Sequence, residues 1–331
     1  MAFFDVFNGD ADGICSLIQL RLHDPQDSIL ITGVKRDISL LNRIENKVSR
    51  ADIVTVLDIS MDKNQQPLEQ ILAQKTSVFY VDHHTAKKIP QVDNLTSLID
   101  LDANTCTSLI VNKYLKNKYA GWAVVGSSGD NLKVRAKKLA VQEKIPAMLQ
   151  DKLFSLGKYM NYNAYGQSYD DLAFAPEDLY REMSLYSSPI NFLENDEMVF
   201  STLESRYLDD FEKVNALSVE EVSPSAAFVI MPDCSWARRV SGVYANDLAN
   251  NNPCRAHAIF TVVNQSVYQV SVRAPISNKY GADQFCLDFP TGGGRPAAAG
   301  INRLPISEFD NFIHKFKCFF KWNISNSKFI F

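Results

Sequence analysis

Short apolar runs that stop abruptly at acidic or imidazole residues recur along the first third of the chain. Phe3 to Phe7, broken only by Asp5, leads into Asn8-Gly9-Asp10-Ala11-Asp12-Gly13 and then a helical pattern from Ile14 to Leu22. Ser28 to Val34 and Ile53 to Leu57 read as a second and a third strand, the third ending at Asp58. Gln65 to Gln74 has helical character, and the β-branched and aromatic run Val78 to Val81 ends in Asp82-His83-His84. Thr96 to Leu101 precedes a helix over Cys106 to Leu115, which Asn104 or Thr105 would cap. Trp122 to Val125 then enters Gly126-Ser127-Ser128-Gly129-Asp130-Asn131, read as a flexible turn that offers a further carboxylate.

Alternating strands and helices predict a doubly wound, mainly parallel sheet, in which all the strand ends of one polarity lie on one edge. Taken singly, each of these ends is an ordinary polar turn, and Asp130 could serve as a helix cap. Taken together, Asp10 and Asp12, Asp58, and Asp82 with its two histidines would share that edge, where unpaired charges are too costly to be chance core residues.

From Lys133 to about Leu217 the pattern is mostly helical, with Ala-Pro-Glu-Asp at 175–178 a good helix start. Ser218 to Ser225 reads as a linker, and strands dominate beyond it. Ala226 to Met231, a helical stretch Val240 to Ala249 and Ala256 to Val263 open a second, smaller α/β domain. A hairpin turn at Val263 to Ser266 leads to an alternating strand with Ser271 and Arg273 on its polar face. Gly292-Gly293-Gly294-Arg295 follows, and consecutive glycines point either to a floppy loop or to a backbone that approaches a phosphate closely. Phe309, Phe312, Phe316 and Phe319 are spaced for a packed terminal helix.

A length of 331 residues exceeds one ordinary core and favours two domains, expected at 1–190 and 223–331 with a helical linker over 191–222. The net charge of −4, with both signs mixed along the chain, gives no footprint for long duplex DNA. The six cysteines show no CxxC spacing, which argues against a zinc knuckle or a disulfide framework and for the cytoplasm. No run of 18 apolar residues occurs, so no membrane association is expected.

In order along the chain, Asp10-Ala11-Asp12-Gly13, Asp58, Asp82-His83-His84, Gly129-Asp130, Ser271-Val272-Arg273 and the run Gly292 to Gly300 resemble the motifs of the DHH phosphoesterase superfamily. The likeness is to the branch with a DHH-associated C-terminal domain, which includes RecJ-like exonucleases, nanoRNases and cyclic-dinucleotide phosphodiesterases. The resemblance implies an active site in a cleft between the two domains and one or two Mn²⁺ ions, with Mg²⁺ or Co²⁺ as alternatives. One ion would be held by Asp12, Asp58, His83 and Asp130, and another by Asp10 with Asp58 bridging. Asp82 would orient His83, and His84 would face the substrate phosphate. Asp12, Asp58, His83 and His84 are thus the expected catalytic set. Arg273, Gly292, Gly293, Gly294 and Arg295 would bind substrate.

Two positions depart from the family pattern. Members with a full two-metal site usually carry a histidine four residues before the first motif aspartate, where this chain has Val6, and the histidine usual after the glycines is Arg295. The resemblance therefore implies a weaker second ion, or one recruited only with substrate. The expected function is hydrolysis of a phosphoester in an oligonucleotide, a cyclic dinucleotide or a phosphonucleotide. A nucleotide-binding regulatory protein and a single-strand exonuclease are the alternatives, and a homodimer is compatible with the sequence.

Overall fold

The computed structural model describes residues 1–326, and the chain divides into two compact units, Met1–Arg206 and Tyr207–Phe331. The tail 323–331, to which the sequence assigns no element, lies in part outside the described residues. No described helix is long and apolar enough to cross a membrane.

The first unit runs β1 (Phe3–Phe7), α1 (Ala11–His23), β2 (Ser28–Ile31), β3 (Ile53–Leu57), α2 (Gln65–Ala73), β4 (Ser77–Asp82) and β5 (Leu95–Ile99). Helices α3 (Thr107–Tyr114), α4 (Ala120–Gly129), α5 (Lys133–Gln142), α6 (Ala147–Ala164), α7 (Pro176–Ser184), α8 (Pro189–Asn195) and α9 (Glu197–Asn215) follow, and the division between the units falls inside α9. All five strands are parallel, in the order β2-β1-β3-β4-β5. One face of the sheet presents Phe4, Val6, Val54, Val56, Val78 and Tyr80 to Leu68 and Ile71 of α2 and to the loop residues Leu40 and Leu41, forming one apolar core. Strand order reverses between β1 and β3, so the carboxyl ends of these two strands open a crevice, the place where such sheets bind ligands.

The glycine- and serine-rich stretch 126–129 is helical rather than a flexible turn. Its small residues let α4 approach its neighbours: a Cβ on Gly129 would lie 2.5 Å from the Ala11 Cβ and 2.9 Å from the Gly157 carbonyl of α6. Close packing outweighs the low helix propensity of glycine here.

The second unit holds β6 (Glu220–Ser223), β7 (Ala226–Met231), α10 (Ser235–Asn251), β8 (Ala256–Asn264), β9 (Val267–Arg273), α11 (Ala282–Leu287), β10 (Gly292–Gly294), β11 (Ala298–Pro305) and α12 (Phe309–Asn326). Ser218 to Ser225, read from the sequence as a linker, thus contains an edge strand. The sheet order is β10-β11-β9-β8-β7-β6, and only β7 and β8, joined through α10, run parallel. Its core is aromatic, with Phe260, Phe285, Phe289, Phe312, Phe316 and Phe320 buried together.

Within β8 lies His257, fully buried, with neither ring nitrogen hydrogen-bonded. Burial first, and then the Arg255 charge, push its pKa down from 6.5 to about 4. The folded chain therefore binds fewer protons than the unfolded chain between these values, and stability is lost as pH falls through that window. Denaturant unfolding of the full chain at pH 7 and pH 4 is expected to show this loss, on the order of 2–3 kcal/mol from this residue. A His257→Leu chain should lack that component. An identical pH dependence in the two proteins would rule His257 out as its source.

Candidate metal centre

The carboxyl edge of the first sheet gathers seven side chains that the sequence singled out. Asp10 follows β1 and caps α1, its Oδ1 accepting from the backbone N–H groups of Asp12 at 3.0 Å and Gly13 at 3.1 Å. Asp12, in the first turn of the same helix, serves a different one: its two oxygens accept from the N–H groups of Thr107 at 2.7 Å and Ser108 at 2.8 Å, at the start of α3. That helix was expected to be capped by Asn104 or Thr105, but its cap residue Cys106 makes no side-chain cap bond. A carboxylate from another element satisfies the helix N-terminus instead, as its dipole favours. Each oxygen of Asp12 keeps a lone pair for another partner.

Asp58 ends β3 with φ at +58°, a left-handed conformation rare outside glycine but tolerated by Asp. Its N–H donates to the Val81 carbonyl at 3.1 Å, and Thr107 Oγ1 donates to its Oδ1 at 3.1 Å. Asp130 ends α4. His83 lies among these acids: its Nε2 is 3.2 Å from Asp58 Oδ1, 3.5 Å from Asp130 Oδ2 and 3.9 Å from Asp12 Oδ2. On the other side of the ring, Nδ1 is 2.9 Å from the Thr105 carbonyl, an acceptor that fixes the proton on Nδ1. Nε2 then faces three carboxylates, a donor set that a bound cation would satisfy.

Asp82 differs from expectation. It was to orient His83, but its Oδ1 accepts from His84 Nδ1 at 2.6 Å, and the Thr105 carbonyl takes the orienting role. The strand ends at Asp82, and beyond it the two imidazoles stand edge to face, at 76° to one another. His84 is the more exposed of the pair, at 29% against 2% for His83.

Carboxylates outnumber cations on this edge. Burial, and then Asp10, Asp12, Asp130 and Asp82, push the Asp58 carboxyl well above the usual carboxylate range. Cys15 and Cys106 are close by; burial and then the Asp12 charge raise both thiols, and neither belongs to the close groups of ligand atoms found among the described residues. Ligand atoms of Asp12, His83 and Asp130 lie within 4.8 Å of one another, as do those of Asp58, His83 and His84. Oxygen-rich donors with one imidazole fit a hard or borderline divalent ion such as Mn²⁺ or Mg²⁺. The observed spacings of 3.2–3.9 Å about Nε2 would contract only slightly around it.

Lys35 was not anticipated. It pairs with Asp10 Oδ2, donates to Asn161 Oδ1 at 2.9 Å and lies 3.8 Å from Asp130 Oδ1. Burial alone would lower its pKa, but Asp10, Tyr165, Asp130 and Asp58 reverse this and hold the ammonium charged above its ordinary range.

In the second unit, Arg273 pairs with Ala298, and Arg295 closes the β10–β11 turn through backbone bonds to that same Ala298. The two arginines are therefore brought to one end of the sheet. Arg273 is already engaged, its guanidinium donating to Asn246 Oδ1 at 2.6 Å and to the Gly242 carbonyl at 3.3 Å. The three glycines form a strand rather than an open loop. A Cβ on Gly292 would fall 1.6 Å from the Cys286 carbonyl, and Gly294 has φ at +146°, so the fold itself requires both. Only Gly293 faces open space.

Comparison with known proteins follows the same lines. Residues 4–139 match the DHH family, N-terminal domain. No curated protein matches the chain. Among solved structures, the exonuclease RecJ bound to manganese is similar at 14% identity, covering 96% of this chain and 89% of its own, with a TM-score of 0.60. RecJ from Thermus thermophilus in complex with Mn²⁺ is 15% identical with a TM-score of 0.61, covering 96% of this chain, which spans about half of that protein, 51%. A pGpG-specific phosphodiesterase from Vibrio cholerae is 12% identical, covers 96% of this chain and all of its own, 100%, and has a TM-score of 0.52. At these identities the likenesses establish a shared fold. The match to the DHH family's N-terminal domain, over residues 4–139, includes all seven residues that build the acidic edge.

Proposed function

We propose that the chain is a divalent-metal-dependent hydrolase of a phosphoester bond in a short nucleotide substrate. The observation that carries this reading is the convergence of Asp12, Asp58, His83 and Asp130 at the strand-order reversal, with His83 Nε2 turned toward the carboxylates. These four residues would hold the ion, Mn²⁺ being our reading, with Mg²⁺ or Co²⁺ as alternatives; the imidazole argues against Mg²⁺ but does not separate Mn²⁺ from Co²⁺. When bound, such an ion lowers the pKa of a water and neutralises charge on phosphoryl oxygens.

The remaining roles fall to the protein. The Thr105 carbonyl holds the His83 ring in register, and Thr107 supports both Asp12 and Asp58. His84, partly exposed and held by Asp82, is assigned to a substrate phosphate. Arg273, Arg295 and the open backbone at Gly293 are assigned to the nucleotide's phosphates or base, the planar guanidinium being suited to phosphate. The six cysteines, without CxxC spacing, support the proposed cytoplasmic residence.

The test is Mn²⁺-dependent release of phosphate or nucleotide from a panel of di- to pentanucleotides, cyclic dinucleotides, a 3′,5′-bisphosphonucleotide, polyphosphate and long single strands, with and without EDTA. Turnover of a short substrate, abolished by the chelator, is expected. Tight binding of one member without turnover would replace this reading by a nucleotide-binding regulator, and turnover of long strands alone by an exonuclease.

A further inference from the structure

Lys35 follows β2 and delivers its ammonium to the same sheet edge as the acids. Its backbone is pinned by an N–H bond to the Ala164 carbonyl at 2.9 Å, and Nζ sits 5.5 Å from the centre of the Tyr165 ring. Both oxygens of Asp10 are consequently engaged, one by the N-terminus of α1 and the other by Lys35. Asp130 divides its oxygens, Oδ1 toward Lys35 and Oδ2 toward His83. Val6, at the position where a ligand imidazole would serve Asp10, is fully buried in the apolar core and offers no lone pair.

We infer that the Lys35 ammonium stands where a second divalent cation would otherwise sit against Asp10 and Asp130, so that the centre takes a single ion. The inference rests on the metal-dependent reading above and deepens it. A cation on Asp10 would have to displace the lysine or lie beside a like charge in a buried setting, where repulsion is poorly screened. An ammonium brings three donors and no empty coordination position. It neutralises Asp10 and Asp130 permanently but cannot activate a water, so the first ion carries that chemistry alone.

The experiment is Mn²⁺ titration of the metal-stripped full chain, followed by electron paramagnetic resonance. The wild type is expected to saturate at about one Mn²⁺ per chain with the spectrum of an isolated ion. Lys35→Gln, which keeps a hydrogen-bonding side chain and removes the charge, is expected to gain a second equivalent and an exchange-coupled signal. Removing one partner of a buried ion pair is destabilising, so the wild type is also read by anomalous diffraction from Mn²⁺-soaked crystals. One peak among Asp12, Asp58, His83 and Asp130, with Lys35 still on Asp10, supports the inference. Two ions per wild-type chain, or a peak on Asp10 with Lys35 displaced, overturns it and leaves the phosphoesterase reading intact. A folded Lys35→Gln chain that still takes one ion also overturns it, because Val6 alone would then be the cause. No Mn²⁺ uptake at all overturns the metal-dependent reading and this inference with it.

Discussion

Replacing His83 by alanine is expected to lower metal-dependent turnover about 10³-fold or more while the chain stays folded. A ligated metal contributes several kcal/mol of transition-state stabilisation, and each 1.36 kcal/mol is about tenfold in rate. His83 is the imidazole common to both groups of close-packed ligand atoms, so no neighbour replaces it. It is also a cleaner test than Asp12. The Asp12 carboxylate caps α3 through two backbone N–H groups, so its loss would mix a capping cost of about 1 kcal/mol with any effect on the ion. His83 bonds through Nδ1 to the Thr105 carbonyl and caps no helix start as Asp12 does. The measurement is steady-state turnover at saturating Mn²⁺, with circular dichroism to confirm folding. A His83→Ala protein with wild-type turnover would remove the site assignment altogether. His84→Ala should be milder, about 10- to 100-fold, since an outer residue that positions phosphate is worth less than a ligand.

The acidic edge was legible because strand polarity makes it so. Three apolar runs each ended in ligand-type residues, and a parallel sheet has one edge for all such ends. The same logic would have reached Lys35, which follows the second strand candidate directly, but attention to anionic and imidazole ligands passed over a cation. What the sequence hid was the partnering. Asp82, the last residue of its strand, is met by His84 just beyond the strand end, while His83 turns to a carbonyl more than twenty positions away in the chain. The helical state of 126–129 was hidden for a different reason. Its glycines are poor helix formers, and only the closeness of α1 and α6 reveals why they are there. In the second unit the glycine run suggested a ligand cradle, yet Gly292 and Gly294 answer to the packing of α11 and β11.

Asp5→Ala is expected to destabilise the first unit by about 3–5 kcal/mol, more than any catalytic substitution. Asp5 lies mid-strand in β1 and is fully buried, the feature that interrupts the first apolar run. Its carboxylate binds Arg21 of α1 through two bonds, Nη2 to Oδ1 at 2.5 Å and Nε to Oδ2 at 2.8 Å. Ser28 Oγ donates to Oδ2 at 2.5 Å, and Arg21 Nη2 donates to Thr55 Oγ1 at 3.0 Å. One network therefore ties β1, β2, β3 and α1 together. With Asp5 gone, the Arg21 guanidinium is left largely buried without its counter-charge, and that uncompensated charge is the main cost. The physical origin can be separated by a second protein. Asp5→Leu with Arg21→Met removes both charges and should recover most of the loss, because burying a pair brings little net stability over apolar packing. Denaturant unfolding of the metal-free chains measures both. A loss below about 1 kcal/mol in Asp5→Ala would mean the pair behaves as a solvent-screened one. Turnover of Asp5→Ala, assayed well below its unfolding temperature, should stay near wild type. Asp5 sits two residues back from the end of β1, and it is the strand ends that deliver side chains to the metal centre.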